Sequence, residues 1–358
     1  MKILLFSAYY ERSVVTGANK RFYELARVLG QRPEVRLMLV VSDKGAEEYW
    51  EAEKVITVNR VKGVYSRLLA YGKLHYHWYR YKPEVLITDL LPPIFLPGPG
   101  RVYQLVHDGR SATPFGRWGM GASIRFMQRF MWRICRNIMT VSEASKAQLV
   151  KEFGISAEKV LVSRNGISEK YLTHETDEGV PNKSIDFLYI ATFEPRKNHK
   201  ALIQAFARIR SEQPVRMVLV GRDKGSLGEV MELLEDLSLR PYVEVRDSVG
   251  DELELIKIYD QTRVYVSPSY FEGFGMPVLE AMSRGCQLAC SNISVFQEIC
   301  GMRALYFDPS CVSGMADCMR IALSQSNDCS QSADCEAIAA RFSWDSIVEQ
   351  LFKDLRDW

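Results

Sequence analysis
The chain has 358 residues, 47% of them hydrophobic and 25% charged, with a net charge of +2. That composition is ordinary for a soluble globular protein, and the length points to two domains rather than one. No apolar run approaches the ~18 residues of a membrane-spanning helix, and no signal peptide is expected, since Lys2-Ile3-Leu4-Leu5 leads straight into a strand pattern. The near-neutral balance hides an asymmetry. Residues 1–170 carry 27 Lys+Arg against 15 Asp+Glu, a balance of +12, whereas residues 171–358 carry 19 against 29, a balance of −10. A basic half beside an acidic half suggests that the first half meets something anionic, with nucleic acid and a membrane surface both open. Seven of the eight cysteines fall between Cys286 and Cys335, with no Cys-x-x-Cys pair and no histidine after His199. Reduced thiols of a cytosolic protein fit that pattern better than zinc or disulfides.

Residues 2–9 predict a buried strand, followed by a polar loop and Gly17-Ala18-Asn19. Phe22, Leu25, Ala26 and Leu29 then recur at helical spacing, and Gly30 ends the helix. A glycine loop between a first strand and a first helix is where α/β proteins bind phosphates. Gly17 is therefore a candidate donor contact, with a plain tight turn as the alternative. The dinucleotide pattern Gly-x-Gly-x-x-Gly is absent, which argues against a hydride-transfer enzyme.

Strand-like runs recur at 35–41, 85–88, 102–106, 138–141 and 160–163, with helix patterns between several of them. Such alternation implies a parallel sheet covered on both faces, with ligands beyond the carboxyl ends of its strands. His107, followed by Asp108-Gly109-Arg110, stands at such an end. Residues 65–82 and 122–139 interleave aromatic side chains with Lys and Arg. Each fits a core helix with a solvated basic stripe, or a helix lying on an anionic lipid surface. Ser142 predicts a helix N-cap, and the polar segment 168–183 predicts an interdomain linker.

The second half opens with a strand over 187–192. The loop Phe193-Glu194-Pro195-Arg196-Lys197-Asn198-His199 follows, with a helix from about residue 200. Arg196 and Lys197, adjacent cations at a strand end, can neutralise a leaving diphosphate. A strand over 215–221 precedes Arg222-Asp223, a weaker candidate for approach to a diphosphate or base. A further strand (243–249) and helix (253–259) lead to the most informative stretch, residues 265–292. There a strand ends in Ser267-Pro268-Ser269, a loop runs Phe271-Glu272-Gly273-Phe274-Gly275, and Pro277 stands where a helix starts. Gly273 and Gly275 allow a sharp turn close to a ligand, and the unpaired amides of the next helix favour an anion. Glu272 lies before the glycines and Glu280 on the first helical turn. Carboxylates beside a phosphate cradle make sense as acceptors for the neutral hydroxyls that sugars supply. A nucleotide diphosphate sugar wants amides in the middle and acceptors at both ends. Taken singly, Glu280 fits helix-dipole complementation and Glu272 a solvated turn. The chain closes with an amphipathic helix through Ile347, Leu351, Leu355 and Trp358, and shows no 20–50-residue repeat.

The string from Tyr265 to Asn292, with Glu272 and Glu280 in a Glu–seven residues–Glu spacing, closely resembles the donor-site signature of retaining glycosyltransferases of family 4. The resemblance covers the second half nearly throughout and the first half in pieces. It implies an α/β chain with the GT-B fold, two Rossmann-like domains facing each other across a cleft. Residues 1–168 with the last helix 344–358 would form an acceptor-binding domain, and residues 169–343 the donor-binding domain. It further implies that Glu272 lies against the donor sugar and that the amides around Phe274, Gly275 and Met276 hold the diphosphate or sugar. Glu280 would bind the ribose hydroxyls. The Val-His-Asp and Arg-Lys-Asn elements imply that His107 faces the transferred sugar and that Lys197, with Arg196, neutralises the departing diphosphate. Many members carry an Arg where this chain has Thr192, which leaves more to Arg196.

The expected reaction moves a sugar from a nucleotide diphosphate sugar to an acceptor hydroxyl with retention. Mannosyl transfer in bacterial surface polysaccharide or glycolipid assembly is the first expectation. No Asp-x-Asp motif occurs, so no metal or other cofactor is expected. The acceptor would be a saccharide or lipid-linked saccharide. The location would be cytoplasmic, with contact to an anionic inner membrane face through the basic half, and without nucleic acid as a partner. The rivals are a nucleotide-sugar epimerase or glycosyl phosphorylase on the same fold, and a non-catalytic binding module.

Overall fold
The computed structural model describes residues 1–7, 10, 17–42, 51–58, 64–89, 98–107, 130, 132–133, 135–173, 183–249, 251–325, 337–338 and 340–357. The chain divides into two compact units, Met1–Gly166 with Trp344–Trp358, and Ile167–Ser343.

In the first unit, β1 (Lys2–Ser7), α1 (Gly17–Gly30), β2 (Arg36–Val41), β3 (Lys54–Thr57), α2 (Val64–Tyr81), β4 (Val85–Thr88) and β5 (Arg101–Val106) are followed by β6 (Asn137–Thr140), α3 (Glu143–Phe153) and β7 (Val160–Val162). The strands form one seven-stranded sheet in the order β3-β2-β1-β4-β5-β6-β7, and every pairing is parallel. Strand side chains alternate between faces, and β1 serves two cores accordingly. Ile3 and Leu5 pack with α1, while Leu4 and Phe6 pack with Ala70, Tyr71, Leu74 and Trp78 of α2. A strand buried on both faces has to be continuously apolar, which is why residues 3–6 read Ile-Leu-Leu-Phe. β3 had no clear sequence signal. It is a short edge strand, half-buried and opened by an exposed Lys54.

The last helix, α10 in chain order (Trp344–Asp357), belongs to this first unit. It buries Trp344, Ile347, Val348, Leu351, Phe352 and Leu355 in the same core as Phe22, Leu25 and Leu29 of α1. Ser142 caps α3, its hydroxyl accepting from the Ser145 amide at 3.0 Å. The 65–82 stretch is helical as α2. Most of the 122–139 stretch, and Asp108 to Arg110, lie outside the described residues. At its described end Trp132 is buried against Phe153, ring centroids 4.7 Å apart. Arg21 is buried in α1 without a carboxylate partner among the described residues. It donates instead to the Arg164 carbonyl, Asn165 Oδ1 and Ser163 Oγ at 2.7–2.9 Å, pinning α1 to the turn after β7.

The second unit runs β8 (Ile185–Ile190), α4 (His199–Arg210), β9 (Met217–Val220), α5 (Leu227–Asp236), β10 (Val243–Arg246), α6 (Glu252–Asp260), β11 (Thr262–Ser267), α7 (Met276–Ser283), β12 (Gln287–Ser291), α8 (Ser294–Cys300), β13 (Ala304–Phe307) and α9 (Val312–Ser324). Its six strands are ordered β10-β9-β8-β11-β12-β13, again all parallel. The expectation of a linker over 168–183 is corrected at its start. Tyr171 is fully buried in this unit, its ring 6.1 Å from that of Tyr259. The Arg284 guanidinium holds the same segment by donating to the Thr173 carbonyl at 2.8 Å. Residues 174–182 lie outside the described residues. Cys135, Cys286, Cys290, Cys300 and Cys318 are buried free thiols and Cys311 is exposed. Among the described residues no helix is long and apolar enough to cross a membrane, and no His, Cys, Asp and Glu cluster could hold a metal ion.

Candidate active site
β8 and β11 are neighbours at the centre of the second sheet, so the loops leaving their carboxyl ends are neighbours too. A short turn at Pro195–Lys197 follows β8, and Ser269 to Gly275 follows β11. The two loops are laced together. The Tyr270 amide donates to the Arg196 carbonyl at 2.9 Å. Asn198, in the left-handed region at φ +56°, donates from Nδ2 to the Pro268 and Pro309 carbonyls at 3.2 and 2.8 Å. The Tyr189 hydroxyl of β8 lies 3.0 Å from both the Lys197 carbonyl and Ser269 Oγ.

These ties bring three predicted residues together. Lys197 Nζ donates to Glu272 Oε1 at 2.5 Å. Arg196 Nη1 donates to Glu272 Oε2 at 3.1 Å and to the Phe271 carbonyl at 2.9 Å. Ser269 Oγ donates to Glu272 Oε1 at 2.7 Å. Burial alone would raise the Glu272 carboxyl, but Lys197 and then Arg196 overturn it and hold the group at about 2. Burial, the largest influence on Lys197, keeps its ammonium below the ordinary lysine value despite Glu272. At neutral pH Glu272 is therefore an anion gripped by two cations, not the solvated turn residue that its loop setting alone would also fit.

Glu272 stands in the loop that leads into α7. Gly275 is the N-cap of that helix, at φ +100°, a region that side-chain-bearing residues rarely adopt. A Cβ there would also meet Phe296 Cε1 at 2.7 Å. Phe274 is a buried anchor, so its amide rather than its ring is the candidate contact, and Met276 is the first helical residue. Open N–H groups at a helix start are in general a favourable setting for an anion. α7 begins at Met276, which corrects the placing of Glu280. It lies on the second turn, not the first, and it is buried. The Tyr259 hydroxyl donates to Glu280 Oε2 at 3.0 Å and lies 3.3 Å from the Pro277 carbonyl.

The other two predicted residues lie in the first unit. Gly17 is the first residue of α1, and a Cβ there would meet nothing among the described residues within 4 Å; residues 11–16, on which the tight-turn alternative depends, lie outside the described residues. His107 is half-buried just beyond β5. On the neighbouring strand end, beyond β4, Asp89 accepts from Ser7 Oγ at 2.5 Å. Arg222 and Asp223 were weak candidates for the diphosphate or base. Asp223 Oδ1 is instead occupied by the Gly225, Ser226 and Leu227 amides at 2.7–3.1 Å, where it organises the start of α5.

Sequence reasoning gave no role to Glu194, Tyr189, Ser269 or Tyr259. Glu194 Oε1 accepts from Arg196 Nη2 and Thr192 Oγ1, both at 2.8 Å. Burial would raise its carboxyl, but Arg196 and then Thr192 hold it below the ordinary value. An acid two residues before paired cations was the available signal.

Two sequence profiles span residues 15–336 between them. One, Glycosyltransferase Family 4, matches 15–171, and the other, Glycosyl transferases group 1, matches 172–336. The chain is 28% identical over 241 residues to O-antigen chain mannosyltransferase B of Escherichia coli, covering 63% of each chain. It is 27% identical over 186 residues to O-antigen chain mannosyltransferase RfbU of Salmonella typhimurium, covering 52% of this chain and 50% of that one. These matches span less than two thirds of either relative's length. The crystal structure of HepE from Anabaena in complex with UDP and glucose matches with a TM-score of 0.75 at 18% identity, over 100% of both chains. Two Rossmann-like parallel-sheet domains with this structural likeness define a GT-B protein. With both halves of the chain matched, it belongs to the family 4 type of glycosyltransferases.

Proposed function
We propose that the protein is a retaining, metal-independent glycosyltransferase. It would move a sugar, mannose as the first expectation, from a nucleotide diphosphate sugar to an acceptor hydroxyl in surface polysaccharide assembly. The observation that carries this reading is the cluster that Arg196 and Lys197, in the turn after β8, form with Glu272, in the loop entering α7. Breaking the anomeric C–O bond leaves its electron pair on a phosphate oxygen. Among the described residues, Lys197, Arg196 and the amides around Phe274, Gly275 and Met276 are the candidates to take up that charge. Preorganised contacts to developing charge are worth about 3–4 kcal/mol each. Glu272 accepts sugar hydroxyls in this scheme and Glu280 the ribose hydroxyls, while His107 is the first unit's candidate for a contact to the transferred sugar. Gly17 is the first unit's candidate for close approach of the backbone to the donor. The O-antigen mannosyltransferases among the relatives support the sugar and the pathway class.

Contact with an anionic membrane face is part of the proposal, through α2. The inward side of α2 is core. Its outward side exposes Tyr65 (74%), Leu68 (58%), Tyr76 (60%) and Tyr79 (42%). Residues 54–83 carry seven Lys+Arg and no Asp or Glu. Tyrosines on a helix flanked by cations suit the interface of an anionic bilayer.

The deciding experiment incubates the protein with a panel of nucleotide sugars and saccharide acceptors and follows products by mass spectrometry. Glycosylated acceptor plus nucleoside diphosphate is expected. Donor isomerisation without acceptor would make it an epimerase, and dependence on inorganic phosphate a phosphorylase. No turnover with any donor would leave a binding module.

A further inference from the structure
The cluster around Glu272 contains one acid more than an anion clamp requires. Arg196 lies between two carboxylates, Nη2 at 2.8 Å from Glu194 Oε1 and Nη1 at 3.1 Å from Glu272 Oε2. With Lys197 on Glu272, two carboxylates face two cations. Among these four side chains the charge balances before any ligand arrives. They are only 11–21% exposed, so solvent screens them weakly. Glu194 does not hang loosely at the rim, since the Thr192 hydroxyl holds its Oε1 toward Arg196.

Transfer changes the charge of what the site must hold. When the anomeric C–O bond breaks, its electrons stay with the phosphate. The nucleoside diphosphate product then bears one more negative charge than the nucleotide sugar. A fixed anion beside the clamp penalises product more than donor. We infer that Glu194 is the resident counter-ion of Arg196, competing with the diphosphate for that guanidinium and so promoting release of the nucleoside diphosphate. The inference rests on the proposed transferase reading. Glu194 is here a specificity-setting residue, and it needs no contact with the sugar.

The test is calorimetric titration of the wild type and Glu194→Gln with uridine, guanosine and adenosine diphosphates, the matching nucleotide sugars, and the bare nucleosides. Gln keeps an oxygen for Thr192 and Arg196 and removes only charge. Glu194→Gln should bind the preferred diphosphate about tenfold more tightly, the scale of one partly screened charge pair. The nucleotide sugar should tighten less and the nucleoside not at all, which a merely structural role would not produce. Thr192→Val, with every charge in place, should tighten diphosphate binding by a smaller factor, and it serves if the Gln variant does not fold. Unchanged or weaker diphosphate binding in the variants, beside a wild type that binds it, overturns the inference alone. A wild type that binds none of the diphosphates overturns the transferase reading and the inference with it.

Discussion

Lys197 and Glu272, 75 positions apart in the chain, meet at 2.5 Å. The contact joins the loops of two adjacent parallel strands and places a cation against the loop that leads into α7. If the cation takes up leaving-group charge, Lys197→Ala lowers kcat by about 10²-fold or more, and Glu272→Ala similarly. Steady-state kinetics with the preferred donor measures both, and near-wild-type turnover in either variant removes that residue from the chemistry.

Glu280 accepts a hydrogen bond from the Tyr259 hydroxyl at 3.0 Å. Glu280→Ala should raise the Kd of the bare nucleoside diphosphate about tenfold or more, the scale of a lost hydrogen bond to a charged group, with little change in the kcat of saturated enzyme. Tyr259→Phe should do the same more weakly. Calorimetry reads the first effect, and a fall in kcat with unchanged affinity would contradict it.

The outward face of α2 predicts binding to vesicles rich in anionic lipid. Co-sedimentation should fall several-fold in Tyr76→Ser/Tyr79→Ser, and also when salt is raised, since screening shortens the reach of the cations. Binding equal on neutral and anionic vesicles would eliminate the membrane surface as partner. Self-association through this face would appear instead as a concentration-dependent mass in sedimentation.

Asp89 predicts a pH dependence of stability. Its Oδ1 is buried, with no hydrogen-bond partner among the described residues. Burial pushes the carboxyl up to about 7, against the Ser7 hydrogen bond, which lowers it. A carboxyl whose folded value is raised binds its proton more tightly in the native state. Its contribution to stability is intact below the unfolded value near 4 and declines as pH rises toward 7. The Tm difference between Asp89→Asn and wild type should therefore be more positive at pH 8 than at pH 5. Thermal melts at the two pH values check this, and a difference independent of pH would contradict it.

Much of the second unit was legible before any coordinates. The turn from β11 through Gly275 into α7 is written in residues that act locally, a glycine for positive φ and a proline in the first helical turn. The strand runs announce themselves because a sheet covered on both faces tolerates only apolar side chains, and the last helix by its period. The linker was misjudged because a polar run does not reveal that one of its residues, Tyr171, finds a pocket against Tyr259. Glu280 lies on the second turn instead of the first because the helix starts one residue earlier, at Met276 instead of Pro277, and nothing local fixes the first helical residue to within one position.

By itself the sequence determined the alternating elements, the glycine-broken loop before α7 and the identity of the chemistry-bearing residues, since these follow from side-chain size, backbone freedom and hydrophobic period over a few neighbours. Only the tertiary structure decided who meets whom. That Glu272 is shared by Lys197 and Arg196, that Glu194 balances Arg196, and that Tyr259 holds Glu280 depend on β8 lying beside β11 and on α6 packing near α7. Strand order in a parallel sheet is set by burial summed over the whole domain, so no local stretch of the chain encodes it.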